Sequence, residues 1–463
     1  MTGPSLNSSP SENVEVPAVT SMPSDPESTV QWWGILIFLL ALIATGLFGT
    51  QRGDEPSQFM EIGFALSAAV LLSTILWQAC DPFAEAAQWF GEYWRIPGSV
   101  RGATLDAVAS SMPELFTGLF FVLVAIWGDR TLAERLQHST AGYGSTIATC
   151  AGSAIYNLIL IPALCCLALA TRRGKEASLN VETDVLARDG NWVLFTQFGL
   201  LVILFMPRLH WWMAVAGLLA YLGYVVHLAL ATRAHRRRLR QAGNAAIAAA
   251  GNTSEPSLDA DSPALDGTQP QADSPQEDDV VPEIAPILFG SIKVPMNAVS
   301  SIVVLLGCTA LAAGACYFLV EITNELSGIL QVPAFFVSVI LVASVSSVPD
   351  TLLSVGAARR GDDAGAISNV FGSNIFDICV GMSLPLLVCC YLNGWDPIEL
   401  QGKHEETMNG VTGLRILLFV MTAIVMFLFW KNRRVTVNMA IFFCLLYLVF
   451  IGYAVAGGLG WSV

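Results

Sequence analysis

Charge is scarce in this sequence. Only 13% of its 463 residues are Asp, Glu, Lys or Arg, about half the share found in ordinary soluble domains. A single water-soluble globule is therefore excluded. Basic residues are scarcer still, 23 against 37 acids, and nothing in their placement forms the basic footprint that nucleic acid requires. Histidine occurs five times. The ten cysteines fall mostly inside apolar stretches and never as a CxxC pair, so they read as small core residues rather than as a disulfide or metal framework.

Long apolar runs are what the chain has in place of charge. With 54% hydrophobic residues and a mean hydropathy of +0.59, it carries eleven apolar blocks. They fall at 30–49, 58–79, 102–127, 141–170, 192–206, 210–230, 299–319, 333–356, 366–392, 413–430 and 438–459. Each of about 20 residues is the length a membrane-crossing helix needs. The expected fold class is an all-α polytopic membrane protein of about 11 spans.

The net charge of −14 lies largely outside those blocks. Residues 1–29 hold four acids and no Lys or Arg, and residues 251–286 hold nine acids and no base. Both read as solvated, unstructured segments. The region before the first block has no positive n-region, so a cleaved signal peptide is not favoured. Residues 231–290 open on Arg233, Arg236, Arg237, Arg238 and Arg240 and are expected to form a disordered linker. Placing it in the cytoplasm and alternating outward puts 17 Lys and Arg on the inside and six outside, as the positive-inside rule favours.

An internal repeat is the most informative feature. Residues 107–115 read AVASSMPEL and 343–351 read ASVSSVPDT; 152–158 read GSAIYNL and 372–378 read GSNIFDI. The same two motifs recur in the same order, five spans apart. An odd number of spans reverses orientation, so the expected layout is two inverted-topology five-helix repeats, 58–230 and 299–459, plus one extra N-terminal helix at 30–49. Inverted repeats of this kind build secondary transporters with a site near the bilayer midplane.

Glu114, Asn157, Asp350 and Asp377 lie inside apolar blocks, where an acid costs about 3 kcal/mol on insertion scales. Such groups are expected to face one another, water or an ion. The ligands on offer are all oxygen: three carboxylates, the Asn157 carbonyl, and the hydroxyls of Ser110, Ser111, Ser153, Ser346, Ser347 and Ser373. That set suits calcium, magnesium or alkali cations, and not zinc, copper or iron. Pro113 and Pro349 each stand one residue before an acid and disturb the helical bonding upstream. This should free backbone oxygens near Ala107–Ser111 and Ala343–Ser347.

The stretches RGATLDAVASSMPELFTGLF and ASVSSVPDTLLSVGAARRGDDAGAISNVFGSNIFDICVGMSLPLL resemble the two alpha repeats of the sodium/calcium exchangers, within the cation/calcium antiporter superfamily. The second is most similar to the potassium-dependent branch. The resemblance implies that Glu114 and Asp350 are paired calcium-coordinating carboxylates, completed by the Ser110 and Ser346 carbonyls. It implies that Ser111, Ser153, Ser347 and Ser373, with the Ala107 and Ala343 carbonyls, serve flanking sodium sites, and that Asn157 and Asp377 border the centre. Asp at 377, rather than Asn, is associated in the family with potassium co-transport.

Three departures stand out. Ala109 and Val345 replace the usual glycines. The interval between motifs is longer in the first half, with the surplus around Arg130–Tyr143 in an expected external loop. Asp106 adds an acid two turns before Glu114. The expectation is a sodium/calcium antiporter of the plasma (cell inner) membrane, not an enzyme. It has no cofactor, its partners are small cations and the lipid bilayer, and no obligate protein partner is implied. Potassium co-transport stays open. So do coupling to protons, for instance through Asp106, exchange of another divalent cation, and a cation-binding relative that does not transport.

Overall fold

The structure, a computed structural model, describes residues 31–51, 57–94, 105, 107–124, 132–251, 284–399 and 405–460. It is helical almost throughout, as lipid demands of a backbone that must satisfy its own hydrogen bonds. The first half runs α1 (Trp32–Thr50), α2 (Gln58–Tyr93), α3 (Ala107–Leu123) and α4 (Leu132–Ile155). A π-helical turn at Tyr156–Leu160 leads into α5 (Ile161–Arg173), then α6 (Asn191–Phe205) and α7 (Trp211–Gly251). The second half opens on α8 (Ala298–Leu330) and a broken helix: α9 (Ala334–Val337), a π turn at Ser338–Val342, α10 (Ala343–Ser346) and α11 (Val348–Arg360). Next come α12 (Asp363–Phe376), a π turn at Asp377–Gly381, α13 (Ser383–Leu392), α14 (Glu405–Asn432) and α15 (Val437–Gly458).

Each of the eleven apolar blocks contains helix among the described residues, three of them as more than one element. Among the described residues eight helices are long and apolar enough to cross a membrane, nine if the pair around Ser347, bent by 40°, is one span. Helix α3, at 17 residues, is shorter. The outer surface is apolar: α1 buries only Gly34 and Ala41, while Leu36, Leu40, Ile43 and Leu47 face outward. In water so large an apolar surface would drive association; in lipid it is the ordinary exterior.

A small cluster at Ala86, Val304 and Cys308 and two large apolar cores lie inside. One joins α4 and α5 to α12, α13 and α15 through residues such as Ile147, Leu158, Phe371, Cys389 and Phe443. The other joins α2 and α8 through Leu72, Leu76, Cys316 and Leu319, with Met112 and Phe121 of α3.

Two short antiparallel ladders tie the halves crosswise. β1 (Ser178–Asn180) pairs with β6 (Arg434–Thr436), and β2 (Arg208–Leu209) pairs with β5 (Ile398–Glu399). β1 precedes α6 and β2 follows it, so the ladders sit at the two ends of that helix. A hairpin, β3 (Ile284–Ile287) with β4 (Ile292–Pro295), precedes α8.

Several boundaries depart from the sequence reading. Helix α2 continues fourteen residues past 79 to Tyr93, through Pro82; the Trp77 indole donates to Asp81 at 3.0 Å, so the acid has a partner on its own helix. The stretch around 130–143, expected to be a loop, is helical from Leu132. The expected linker 231–290 is helical up to Gly251 and folded again from Ile284, because the apolar-flanked Ile-Ala-Pro-Ile strand finds an antiparallel partner. Residues 1–29 and Asp106, with its suggested proton role, lie outside the described residues.

Candidate functional site

The motif residues converge. α3 supplies Ser110, Ser111 and Glu114; the α4–α5 helix supplies Ser153 and Asn157. The broken helix supplies Ser346, Ser347 and Asp350, and α12 with its π turn supplies Ser373 and Asp377. All ten are fully buried, at 0% exposure.

The hydrogen bonds run within and between motif copies. Ser153 Oγ is the hub: it lies 2.8 Å from Asp377 Oδ2, 3.2 Å from Glu114 Oε1 and 3.0 Å from Ser347 Oγ, and accepts from Asn157 Nδ2 at 3.3 Å. Ser347 Oγ also reaches Glu114 Oε1, at 3.3 Å. Around the other acid, Ser373 Oγ donates to Asp350 Oδ1 at 2.8 Å and Asn157 Nδ2 donates to Oδ2 at 3.2 Å. The Ser110 and Ser373 hydroxyls share a bond at 3.3 Å. Two relations repeat between halves: Ser153 serves Glu114 as Ser373 serves Asp350, and Ser346 faces Glu114 as Ser110 faces Asp350.

Acceptors outnumber protons here. One Ser153 hydroxyl hydrogen cannot serve both Glu114 and Asp377. Glu114 Oε2, Asn157 Oδ1 and Asp377 Oδ1 make no hydrogen bond, and Ser111 Oγ faces Asp377 without closing one. No Lys, Arg or His among the described residues pairs with Glu114, Asp350 or Asp377. Three carboxylates buried without a compensating charge are very costly. A bound cation or protons must neutralise them. No three His, Cys, Asp or Glu side chains among the described residues are close enough to hold an ion by themselves, so hydroxyl, amide and backbone oxygens would have to complete any shell.

The two prolines act differently. Pro349 accompanies a real break: Ser347 leaves the helix at φ −84°, ψ 3° between α10 and α11. Pro113 sits inside a continuous α3. The Ala107 and Ala343 carbonyls, expected to be free, accept from Ser110 Oγ and Ser346 Oγ at 3.4 Å, and Ala343 also accepts from the Ser347 amide at 3.2 Å. Each of these carbonyl oxygens has a second lone pair, so a serine partner does not exclude a cation. Val345 does not prevent the break; its side chain turns into the α2–α8 core, and Ala109 is fully buried.

Packing brings the copies into register. A Cβ on Gly152 would come within 2.4 Å of the Val339 carbonyl and 2.7 Å of Ala343 Cβ, so α4 lies against the broken helix at backbone distance. A Cβ on the equivalent Gly372 would lie 4.0 Å from Ala107 Cβ, an ordinary van der Waals contact.

Sequence reading missed several residues. Asn374, next to Ser373, is fully buried with its Oδ1 unbonded; its position in the GSNIFDI motif was the available signal. Asn369 donates to the Asp350 carbonyl at 3.4 Å and to Ser354 Oγ at 3.0 Å, and Thr351 bonds Tyr156 at 3.3 Å. Asp189 is fully buried: Arg188 grips it at 2.8 and 2.7 Å, Ser368 of α12 donates at 3.0 Å and Tyr224 of α7 at 3.4 Å. An Arg-Asp-Gly run reads as exposed loop, and nothing in it announces distant partners.

Fold and site define a polytopic helical membrane protein with an acidic, oxygen-lined interior. The chain belongs to the sodium/calcium exchanger protein family, whose model matches residues 64–230 and 300–456. It is similar to sodium/potassium/calcium exchanger 2 of Gallus gallus (30% identical over 122 residues, 26% of this chain and 18% of that protein). It is also similar to exchanger 2 of Rattus norvegicus (28% over 186 residues, 38% and 24%) and to exchanger 5 of Homo sapiens (32% over 118 residues, 25% and 22%). The matches thus span less than a quarter of those relatives' length. Among solved structures, the H+/Ca2+ exchanger CAX superimposes with a TM-score of 0.56 at 10% identity, covering 93% of this chain and 91% of that one. The sodium-calcium exchanger NCX_Mj gives 0.48 at 18% identity, covering 84% and 97%.

Proposed function

We propose that this protein is a secondary antiporter that exchanges sodium for calcium across a membrane, extruding calcium by alternating access around the Glu114–Asp350 site. The observation that carries the reading is that three buried, uncompensated carboxylates from both motif copies are linked through Ser153 and Asn157 in a member of this exchanger family. Calcium would be held by Glu114 and Asp350, with the Ser110 and Ser346 carbonyls. Sodium would be held by Ser111, Ser153, Ser347 and Ser373 with the Ala107 and Ala343 carbonyls, and Asn157 and Asp377 would border the centre. Two or three carboxylates suit one divalent ion, or several sodium ions in its place. That equivalence of charge is the physical basis for exchange.

The layout proposed is eleven spans in two inverted five-helix repeats plus α1. The crosswise pairing of β1 with β6 and of β2 with β5 supports it, since an inverted repeat relates one ladder to the other. The matched contacts Gly152 to Ala343 and Gly372 to Ala107 support it too. The basic run after residue 232 favours a cytoplasmic linker in a plasma (inner) membrane. Potassium co-transport through Asp377 belongs to the same proposal, supported by similarity to sodium/potassium/calcium exchangers.

The test is radiolabelled calcium uptake into sodium-loaded proteoliposomes diluted into sodium-free buffer, with and without potassium. Uptake that needs the outward sodium gradient supports the reading. Uptake driven only by a proton gradient, or none in well-inserted protein, would overturn it.

A further inference from the structure

Two elements outside the family-matched residues meet at one aromatic joint. α1 lies before residue 64, and the β3–β4 hairpin lies before residue 300. The hairpin's turn carries Phe289, which is 7% exposed although it stands at a loop tip. Its ring is edge-on to Trp77 of α2 at 5.5 Å and tilted against Phe38 of α1 at 6.0 Å; Trp77 in turn stacks on Trp33 at 4.9 Å. The backbone closes the same joint. Gln31 N–H donates to the Phe289 carbonyl at 2.8 Å, and Phe289 N–H donates to the Gln78 side chain. A Cβ at Gly34 would fall 2.7 Å from the Phe289 ring and 2.8 Å from Trp77, so α1 is shaped to fit there.

The turn that delivers Phe289 is strained. Leu288 and Phe289 stand at φ 51° and 58°, followed by Gly290 at 80°. Left-handed backbone in consecutive large residues persists only where the surroundings over-determine it, and a relaxed hairpin turn would place Asn or Gly there. Here the burial of one ring holds the turn. The other face of the hairpin packs Ile287, Val294 and Met296 against Phe83 and Ala86 of α2 and Val304 and Cys308 of α8. Those two helices flank the ion-site motif: Met112 lies in their core, and the Cys316 thiol donates to the Pro113 carbonyl at 3.5 Å, one residue from Glu114.

We propose that the hairpin is an intramolecular clasp. Phe289 seats α1 on α2 and holds the α2–α8 pair in one setting against α3, so the joint is mechanically linked to the exchange site. The docking stands on its own; its effect on transport rests on the exchanger reading above.

The test uses the full chain with Phe289→Ala, Phe289→Leu, Trp33→Ala and the Trp33→Ala/Phe289→Ala double variant. Backbone hydrogen exchange over residues 32–40 should rise about tenfold in Phe289→Ala and less in Phe289→Leu, with residues 140–173 unchanged. In proteoliposomes, the initial rate of sodium-driven calcium uptake should change about threefold in each single alanine variant and no further in the double, since both break one joint. Unchanged exchange over 32–40 in both Phe289 variants overturns the clasp. Altered exchange with unaltered uptake overturns the coupling to transport. If the unmodified protein moves no calcium, the exchanger reading fails while hydrogen exchange still decides the docking.

Discussion

The Asn157 amide donates to Asp350 Oδ2 at 3.2 Å, joining groups 193 positions apart in sequence. One is the polar residue of the second motif in the first half; the other is the acid of the first motif in the second half. Each half is incomplete without the other.

Neutralising either principal carboxylate should stop exchange. Glu114→Gln and Asp350→Asn each remove a full charge from the proposed calcium site while keeping shape, and about 3 kcal/mol lost from cation binding is roughly a hundredfold. Sodium-driven calcium uptake should fall to background with the protein still correctly inserted. Near-normal uptake in both would sink the site assignment.

Ser153→Ala tests the hub. It deletes the one hydroxyl that touches Glu114, Asp377, Asn157 and Ser347, and hydrogen bonds to charged groups are worth about 1.5–3 kcal/mol. The apparent affinity for calcium or sodium should weaken about tenfold or more. Ser354→Ala, which touches only the supporting Asn369, should change it far less.

Asp377→Asn addresses potassium. If the unmodified protein takes up calcium faster with potassium present, the variant should lose that difference while retaining sodium-driven uptake. A variant as potassium-responsive as its parent would remove Asp377 from that role.

The two motif glycines should respond unequally. Gly152→Ala forces a methyl onto the Val339 carbonyl and should cost about 1–3 kcal/mol, the usual range for overpacking. Gly372→Ala has room and should be nearly neutral. Thermal unfolding in detergent reads the difference; equal losses would mean that α4 does not lie against the broken helix at backbone distance.

Arg188→Leu leaves the Asp189 carboxylate buried without its cation, and such orphaning costs about 3–5 kcal/mol. A clear fall in unfolding temperature is expected, with the Arg188→Leu/Asp189→Leu pair recovering part of it. No recovery would show that Arg188 acts through packing rather than charge.

The parts of this protein legible in its sequence are those set by composition and repetition. Helices were visible because lipid leaves few alternatives, and Glu114, Asp350, Ser153 and Ser373 because an intramembrane polar residue found twice is hard to explain otherwise. Hidden were features fixed only by tertiary contact. The Arg188–Asp189 pair finds Ser368 and Tyr224 only once the chain is folded, and Phe289 acquires its partners across the fold. The sequence does not tell the two prolines apart: Pro349 stands beside a break and Pro113 inside a continuous helix, a difference set by the packing around each.

The π turns at Tyr156–Leu160 and Asp377–Gly381 carry a last consequence. A wide turn accommodates one residue more than the regular spiral, and one residue is about 100° of rotation. Everything beyond it is therefore out of phase with everything before. In both halves this slip falls at the polar residue of the second motif, Asn157 or Asp377. The upstream helix can keep Ser153 or Ser373 aimed inward while the downstream helix turns a different stripe to its neighbours. Deleting one residue within either turn would restore regular winding and place those two requirements in conflict.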